Sequence, residues 1–164
     1  MKQVSGRNYF HFYFFFFFLC CAAAFTSCKK QDNHHTQTFS LKADFQTEST
    51  VLQTGPPELD SIAGLGTGSP IGKSSFIAHA RFDNNYNLTG IIETRTANGD
   101  SFFSSITGHA PDINDAGDIT LQFNAVIVGG TGRYVTATGS FVGTAHESIY
   151  NSAGSAHWEG SITY

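Results

Sequence analysis

Apolar and polar residues alternate with a period of two along most of the chain from Thr38 to the C-terminus. The two clearest apolar series are Phe39, Leu41, Ala43, Phe45 and Ile119, Leu121, Phe123, Ala125, Ile127. No run in this region has the three- and four-residue spacing of an amphipathic helix. Because alternation gives a strand one apolar and one polar face, the pattern predicts an all-β domain.

Turn-forming residues divide this region into eight predicted strands. The pair Asn98 and Gly99 is the strongest hairpin signal, and it predicts a type I′ turn, whose two central residues need positive φ. Eight short antiparallel strands fit a sandwich or a closed barrel, and periodicity alone does not choose between them. Consecutive hairpins favour an eight-stranded antiparallel up-and-down β-barrel, because closure removes unpaired strand edges. Other turns are predicted at residues 83–85, 111–117, 129–132 and 151–154.

The first 28 residues have the composition of an export signal. Lys2 and Arg7 precede an aromatic-rich apolar run that ends at Phe25. This run is shorter than the roughly 20 residues that cross a bilayer stably, which favours a cleaved signal peptide over a membrane-spanning helix. Residues 25–28 resemble the loose lipobox of Bacteroidota lipoproteins. The resemblance implies cleavage before Cys28 and acylation of that cysteine.

The sequence therefore predicts three parts: a lipoprotein signal peptide at residues 1–27, an acylated Cys28 with a hydrophilic tether at residues 28–37, and a barrel domain at residues 38–164. Cleavage by an ordinary signal peptidase in the region 22–24 is the alternative. Acyl chains on Cys28 would bind membrane lipid at about 0.8 kcal/mol per buried CH₂ group. Lys29 follows the cysteine instead of the Asp that marks inner-membrane retention, which favours the outer membrane or the cell surface.

Removal of the signal peptide makes the net charge of the mature chain more negative. Of nine basic residues, Lys2 and Arg7 belong to the signal, which leaves seven basic residues against thirteen acidic ones. The remaining basic residues are scattered, whereas a phosphate backbone requires a clustered basic face, so nucleic-acid binding is not expected. Cys20 and Cys21 leave with the signal and Cys28 is acylated. The mature domain therefore has no disulfide and depends on its own core.

A glycine-rich motif follows the sixth predicted strand. It consists of Gly129, Gly130, Thr131, Gly132, Arg133, Tyr134 and Gly139, with Ala137 and Thr138 before the last glycine. Together with residues 66–68, 71–73, 96–100 and 160–164, this motif resembles the allene oxide cyclase-like barrel family, a relative of the dirigent proteins. The resemblance covers roughly residues 59–164 and implies an eight-stranded barrel.

No catalytic residue is assigned from the sequence. The family's acidic and arginine residues cannot be placed on this chain residue by residue. His146, Glu147, His157 and Glu159 lie on two strands joined by one turn, and a turn near Ser152 predicts Glu147 opposite His157. This arrangement indicates a surface cross-strand pair rather than a zinc site, because it lacks a defined third ligand.

Two other polar groups have ordinary explanations. Asp112, Asp115 and Asp118 lack the glycine and terminal Glu of an EF-hand loop and are interpreted as turn residues. A second group, formed by His79, Arg81, Glu93 and Arg95, is interpreted as solvated. The sequence therefore predicts no metal and no cofactor.

Two functions remain open. The first is a noncatalytic, membrane-anchored envelope lipoprotein whose barrel binds a small apolar ligand or an envelope protein. The second is a cyclase or dirigent-like protein that holds a reactive apolar intermediate in the barrel. An interior that is filled without any pocket by Phe39, Phe45, Phe123, Ile127 and Trp158 would contradict the second function. A cavity of about 300 Å³ or more with convergent polar groups would favour it.

Overall fold

The computed structural model describes residues 36–55, 57–109, 117–148 and 150–164. The predicted signal peptide, Cys28, most of the tether and most of the turn at residues 111–117 lie outside the described residues. Within the described part of the chain, no helix is long and apolar enough to cross a bilayer. The strands are β1 Thr38–Gln53, β2 Glu58–Ser69, β3 Gly72–Phe82, β4 Asn87–Thr96, β5 Ser101–His109, β6 Asp118–Gly130, β7 Thr138–Ser148 and β8 Ala153–Thr163.

The eight strands form a closed barrel with up-and-down topology. Each strand pairs antiparallel with the next, and β1 pairs with β8 to complete the ring. The closing pair extends from Thr38 opposite Thr163 to Glu48 opposite Ala153. The predicted fold class is therefore confirmed, and the described sheet has no unpaired edge strand.

An aromatic cluster fills the middle of the barrel. The ring centroid of Trp158 lies 4.4 Å from that of Phe45, 5.0 Å from that of Phe76 and 4.7 Å from that of Phe141. All four side chains are buried. Most of the inward positions predicted on β1 and β6 are buried as well, whereas Phe39 and Ile119, near the strand ends, are only partly buried.

The glycine-rich motif covers the barrel end at which β1 begins and β8 finishes, which we call the plugged end. A short 3₁₀ turn, Gly132–Tyr134, follows β6. The Tyr134 side chain is fully buried, with its ring centroid 4.7 Å from that of Tyr164 and 5.4 Å from that of Phe102. The Arg133 guanidinium lies 4.7 Å from the Tyr134 ring centroid and donates a 2.7 Å hydrogen bond to the Tyr134 hydroxyl. Edge-to-face aromatic contacts and a cation–π contact therefore close this end.

The β4–β5 hairpin differs from the predicted turn type. Gly99 has a φ of +93°, but Asn98 is not among the residues with positive φ. Gly99 N–H donates to the Thr96 carbonyl, and Thr96 N–H donates to the Asp100 carbonyl. These bonds define a three-residue loop at residues 97–99, so the type I′ prediction is wrong. In such a loop only the third residue adopts the left-handed region, and here that residue is Gly99.

The sequence pattern did not show which of the two phenylalanines at the start of β5 faces the interior, and the structure does. Phe102 is fully buried, whereas Phe103 is 37% exposed on the outer surface. Opposite this point β6 contains an irregularity, because Phe103 pairs with Gly129 while Ser104 pairs with Ile127. Val128 is thus one extra residue, a β-bulge beside the glycine-rich motif.

Gly66 provides a test of the close approach of β1 and β2. A Cβ atom at this position on β2 would lie 1.9 Å from the backbone carbonyl oxygen of Asp44 on β1. We expect Gly66→Ala to lower the free energy of unfolding by about 2–3 kcal/mol, because backbone atoms cannot move aside as a side chain can. Urea denaturation followed by circular dichroism measures this change.

Gly55→Ala is the control for that substitution. Its Cβ would meet nothing within 4 Å, although its φ of +86° strains any other residue. We expect a loss of only about 1 kcal/mol at this position. Equal losses for the two variants would contradict a close strand approach at Gly66.

Candidate functional site

Polar side chains face the barrel interior at the end opposite the plugged end. At this end β1 and β7 finish and β2 and β8 begin. We call this the acidic end. Thr47 continues the inward series of β1, Glu147 that of β7, and Asp60 that of β2. Alternation along each strand therefore places two carboxyl groups and one hydroxyl at the same end of the interior.

Gly154 on β8 lies between two of these side chains. It pairs with Thr47 on β1 and with Glu147 on β7. A Cβ atom on Gly154 would lie 2.8 Å from Thr47 Oγ1 and 2.9 Å from Glu147 Cγ. The absent side chain therefore leaves the space in which the threonine hydroxyl and the glutamate approach one another.

A small cavity lies next to these polar groups. Its volume is about 30 Å³, and both Thr47 and Glu147 contribute to its wall. Ile62 also lines it, and Asp60 is the next inward residue on β2 beyond Ile62. A volume of this size holds one or two water molecules or a short alkyl group. The rest of the lining is apolar: Phe76, Ala78, Ala80, Leu88, Ile92, Ile106, Leu121, Phe123, Ala145, Ala156 and Trp158.

Burial changes the acidity of both carboxyl groups. Desolvation raises the pKa of Asp60 from 3.8 to about 6, and repulsion from Glu58 adds to the rise. Desolvation also raises the pKa of Glu147, with repulsion from Asp60 in the same direction, while a hydrogen bond from Ser49 partly offsets these effects. The effect of Asp60 on the pKa of Glu147 is the repulsion expected between two carboxyl groups at the same end of the barrel.

Three oxygens at the acidic end lack hydrogen-bond partners among the described residues. They are Thr47 Oγ1, Asp60 Oδ1 and Glu147 Oε1. Thr47 is only 7% exposed. An unsatisfied buried polar atom costs about 1–3 kcal/mol. Three further buried atoms among the described residues are unpartnered in the same way: Thr94 Oγ1, Ser104 Oγ and Trp158 Nε1.

The structure separates the four residues that had been considered as a zinc site. His157 Nδ1 lies 2.7 Å from Asp44 Oδ1, and Glu159 pairs with Lys42, both on the outer surface. The predicted pairing of Glu147 with His157 is wrong: Glu147 lies opposite Gly154 and faces inward.

The remaining polar predictions have mixed outcomes. His146 Nδ1 lies 2.9 Å from Thr120 Oγ1 on the exposed surface. No cluster of three potential metal ligands occurs in the part of the chain that the structure describes. The predicted solvated group on β3 and β4 is exposed, as expected for His79, Arg81, Glu93 and Arg95. Asp112 and Asp115 lie outside the described residues, as does Cys28.

The sequence analysis did not predict the acidic end, although the alternation of inward and outward positions along each strand indicates it. Thr47 follows Phe45 at the interval of two, and Glu147 follows Ala145 in the same way. Asp60 lies at the interval of two from Ile62 and the inward Gly64. The glycines of β2 make the apolar face of this strand hard to recognise in the sequence. Extending each inward series by one residue would have located all three side chains.

Comparison with known proteins adds no assignment: no family model matches the chain, and neither a curated protein nor a solved structure is significantly similar to it.

Replacing Asp60 tests the electrostatics of the acidic end. Folded Asp60 keeps its proton up to about pH 6, whereas the unfolded residue loses it near pH 3.8. The free energy of unfolding should therefore fall as pH rises from about 4 to about 6. We expect Asp60→Asn to be more stable than the native protein at pH 7.5 by about 1 kcal/mol, after allowance for solvent screening, and similar to it below pH 4. Urea denaturation at both pH values measures the difference.

Asp83→Asn is a control of opposite sign. Asp83 accepts hydrogen bonds from the Asn87 side chain and from the Asn85 and Asn87 backbone, and these bonds lower its pKa. Its contribution to stability is present above its usual pKa and is lost as pH falls. This variant should therefore be destabilised at pH 7.5. Destabilisation of both variants would contradict the unpaired, desolvated state of Asp60.

Proposed function

We propose that this protein is an exported, membrane-anchored lipoprotein whose barrel is a noncatalytic module for binding a small, largely apolar ligand. The cavity at the acidic end is the observation that carries the proposal. Its wall is almost entirely apolar, and two of the residues beside it, Thr47 and Glu147, each carry a buried oxygen without a hydrogen-bond partner. Small-molecule sites combine an apolar lining with a few placed polar groups in this way.

The closed eight-stranded topology and the glycine-rich motif at one end support a relation to the allene oxide cyclase-like barrels. In the second candidate function, the barrel steers a reactive intermediate as a cyclase or dirigent protein does. Glu147 supplies the buried ionisable group that such chemistry needs. However, the cavity of about 30 Å³ is far smaller than the roughly 300 Å³ of typical small-molecule sites. The same volume limits binding to a very small ligand, and we prefer binding because it requires no catalytic group in the cavity.

The entry point of the tether is compatible with an anchored binding module. Gln37 exchanges two backbone hydrogen bonds with Tyr164, of 3.0 and 3.1 Å, at the plugged end. The segment that leads from Cys28 therefore joins the barrel at the end opposite Asp60 and Glu147. We place the protein at the outer membrane or the cell surface, where the other candidate partner is an envelope protein.

Acylation at Cys28 has a direct test. We expect mass spectrometry of the mature N-terminal peptide to show a lipid-modified Cys28, and the native protein to fractionate with membranes. Cys28→Ala should abolish the modification and release the processed protein from the membrane fraction, because the acyl chains supply the attachment. Ser27→Ala retains a small residue before the cysteine and should behave as the native protein does. An unmodified N-terminus beginning within or just after residues 22–24 would contradict the anchor.

Ligand binding is tested by native mass spectrometry of the protein isolated from its own envelope. We expect a retained small molecule whose occupancy is strongly reduced by Ala145→Val, because the added methyl groups fill the cavity. Ala63→Val is the matched control, since Ala63 is exposed on the outer face of β2. Equal ligand occupancy in both variants would place the ligand elsewhere. A protein isolated without any ligand would contradict the binding function.

A further inference from the structure

The two ends of the barrel carry formal charges of opposite sign. The difference lies in the described residues of the loops and in the last three residues at each strand end. The plugged end has three basic side chains and one carboxylate: Lys73, Arg95, Arg133 and Asp100. The acidic end has one basic side chain and five carboxyl groups: Arg81, Glu58, Asp60, Asp83, Asp118 and Glu147. The charges near the strand ends therefore form a dipole along the barrel, positive at the plugged end.

The basic side chains of the plugged end are accessible from outside the barrel. Lys73 is exposed, and the Arg95 side chain is 65% exposed although its Nη2 lies 3.9 Å from a Glu93 oxygen. The Arg133 side chain is 41% exposed, with its Nε 3.9 Å from a carboxylate oxygen of Asp100. Exposed ion pairs of this length are weak. The three cations can therefore contact a further anionic surface.

Exposed apolar side chains accompany these cations. Val135 follows the 3₁₀ turn of the glycine-rich motif, and Val128 is the extra residue of the β-bulge beside it; both are exposed. Binding to a membrane interface combines buried apolar area with attraction to anionic lipids. The plugged end therefore has the composition of a surface that contacts lipid headgroups.

The tether determines which surface this end meets. Cys28 lies nine residues before Gln37, and Gln37 is held at the plugged end by its backbone bonds with Tyr164. A chain of that length spans at most about 30 Å when fully extended. Lys29 and Lys30 directly follow the cysteine and add basic charge beside the bilayer. Acyl chains on Cys28 would therefore hold the plugged end within reach of the membrane in which they are inserted.

We propose that the plugged end docks onto a bilayer that contains anionic lipid, with Lys73, Arg95 and Arg133 at the headgroups and the acidic end directed away. This inference rests on the acylated anchor of the proposed function and adds the orientation of the barrel and the class of lipid. The acyl chains supply the attachment, and the charges select the orientation.

The length of the barrel makes this orientation favourable. A strand of about ten residues tilted by about 40° spans about 25 Å along the barrel axis. The Debye length at physiological ionic strength is only about 8 Å. With the plugged end docked, the carboxyl groups of the acidic end are thus screened from the anionic surface. An inverted barrel would bring those carboxyl groups directly against it.

Fluorescence quenching at two labelled positions tests the orientation. Cys28 is the only cysteine of the mature chain, so Thr136→Cys and Asn84→Cys each add a single free thiol for labelling to the acylated protein. Thr136 is exposed in the loop after the 3₁₀ turn, and Asn84 is exposed in the β3–β4 turn at the acidic end. The labelled, acylated proteins are reconstituted into phosphatidylcholine vesicles with a headgroup quencher, with and without phosphatidylglycerol.

We expect the ratio of quenching at residue 136 to quenching at residue 84 to be about fivefold or more higher when phosphatidylglycerol is present. Each basic residue near an anionic surface favours the docked orientation by about that factor. The ratio should return to the value for phosphatidylcholine alone in about 1 M NaCl, because the Debye length then falls to about 3 Å.

Single charge removals locate the contact. Lys73→Gln and Arg95→Gln should each lower the quenching ratio in phosphatidylglycerol vesicles by up to about fivefold. Arg81→Gln is the matched control, because it removes the same charge from an exposed position at the acidic end. It should not lower the ratio. Equal losses for Arg81→Gln and Lys73→Gln would indicate a response to net charge alone and overturn the proposal.

The remaining outcomes separate docking from anchoring. A quenching ratio that is the same with and without phosphatidylglycerol would overturn docking onto anionic lipid and leave the acylated anchor standing. Equal quenching at the two positions would do the same. If the protein carries no acyl group on Cys28 and does not float with the vesicles, the anchor fails and the docking proposal fails with it.

Discussion

Closure of the sheet is the constraint on which the rest of the structure depends. Once β1 pairs with β8, each side chain on a strand faces either the interior or the outer surface according to its parity. An eight-stranded barrel is just wide enough for side chains to fill. Its interior therefore accepts Trp158 with Phe45, Phe76 and Phe141 only because neighbouring strands contribute alanine and glycine.

Because the sheet is closed, the inward side chains near the strand ends make one end of the barrel aromatic and the other acidic. At the plugged end, the Tyr134 ring contacts its aromatic neighbours edge to face, and Arg133 lies over the rings of Tyr134 and Tyr164. At the acidic end, parity directs Asp60 and Glu147 inward, where desolvation raises the pKa of each carboxyl group. An apolar residue of similar size would avoid this cost. Departures from good local packing of this kind are most often found at functional sites.

Much of the fold could be predicted because alternation is a direct consequence of strand geometry. The series Leu121 to Ile127 identifies β6 and its buried face without any tertiary information. Closure required an additional argument from consecutive hairpins, and the hairpin at Asn98 was located correctly although its turn type was wrong. The register of β7 and β8 could not be predicted, because it depends on the exact geometry of a turn. That register decides whether Glu147 pairs with His157 or lies opposite Gly154.

The acidic end was harder to predict because its chemistry comes from three strands that are distant in sequence. Thr47, Asp60 and Glu147 form no motif, and each one is an ordinary residue near a strand end. Their proximity follows only from closure, and the space between Thr47 and Glu147 depends on the missing side chain of Gly154. Each of the three side chains also has a buried oxygen without a partner among the described residues. The apolar cavity beside Thr47 and Glu147 is the feature of this end on which the proposed binding function depends.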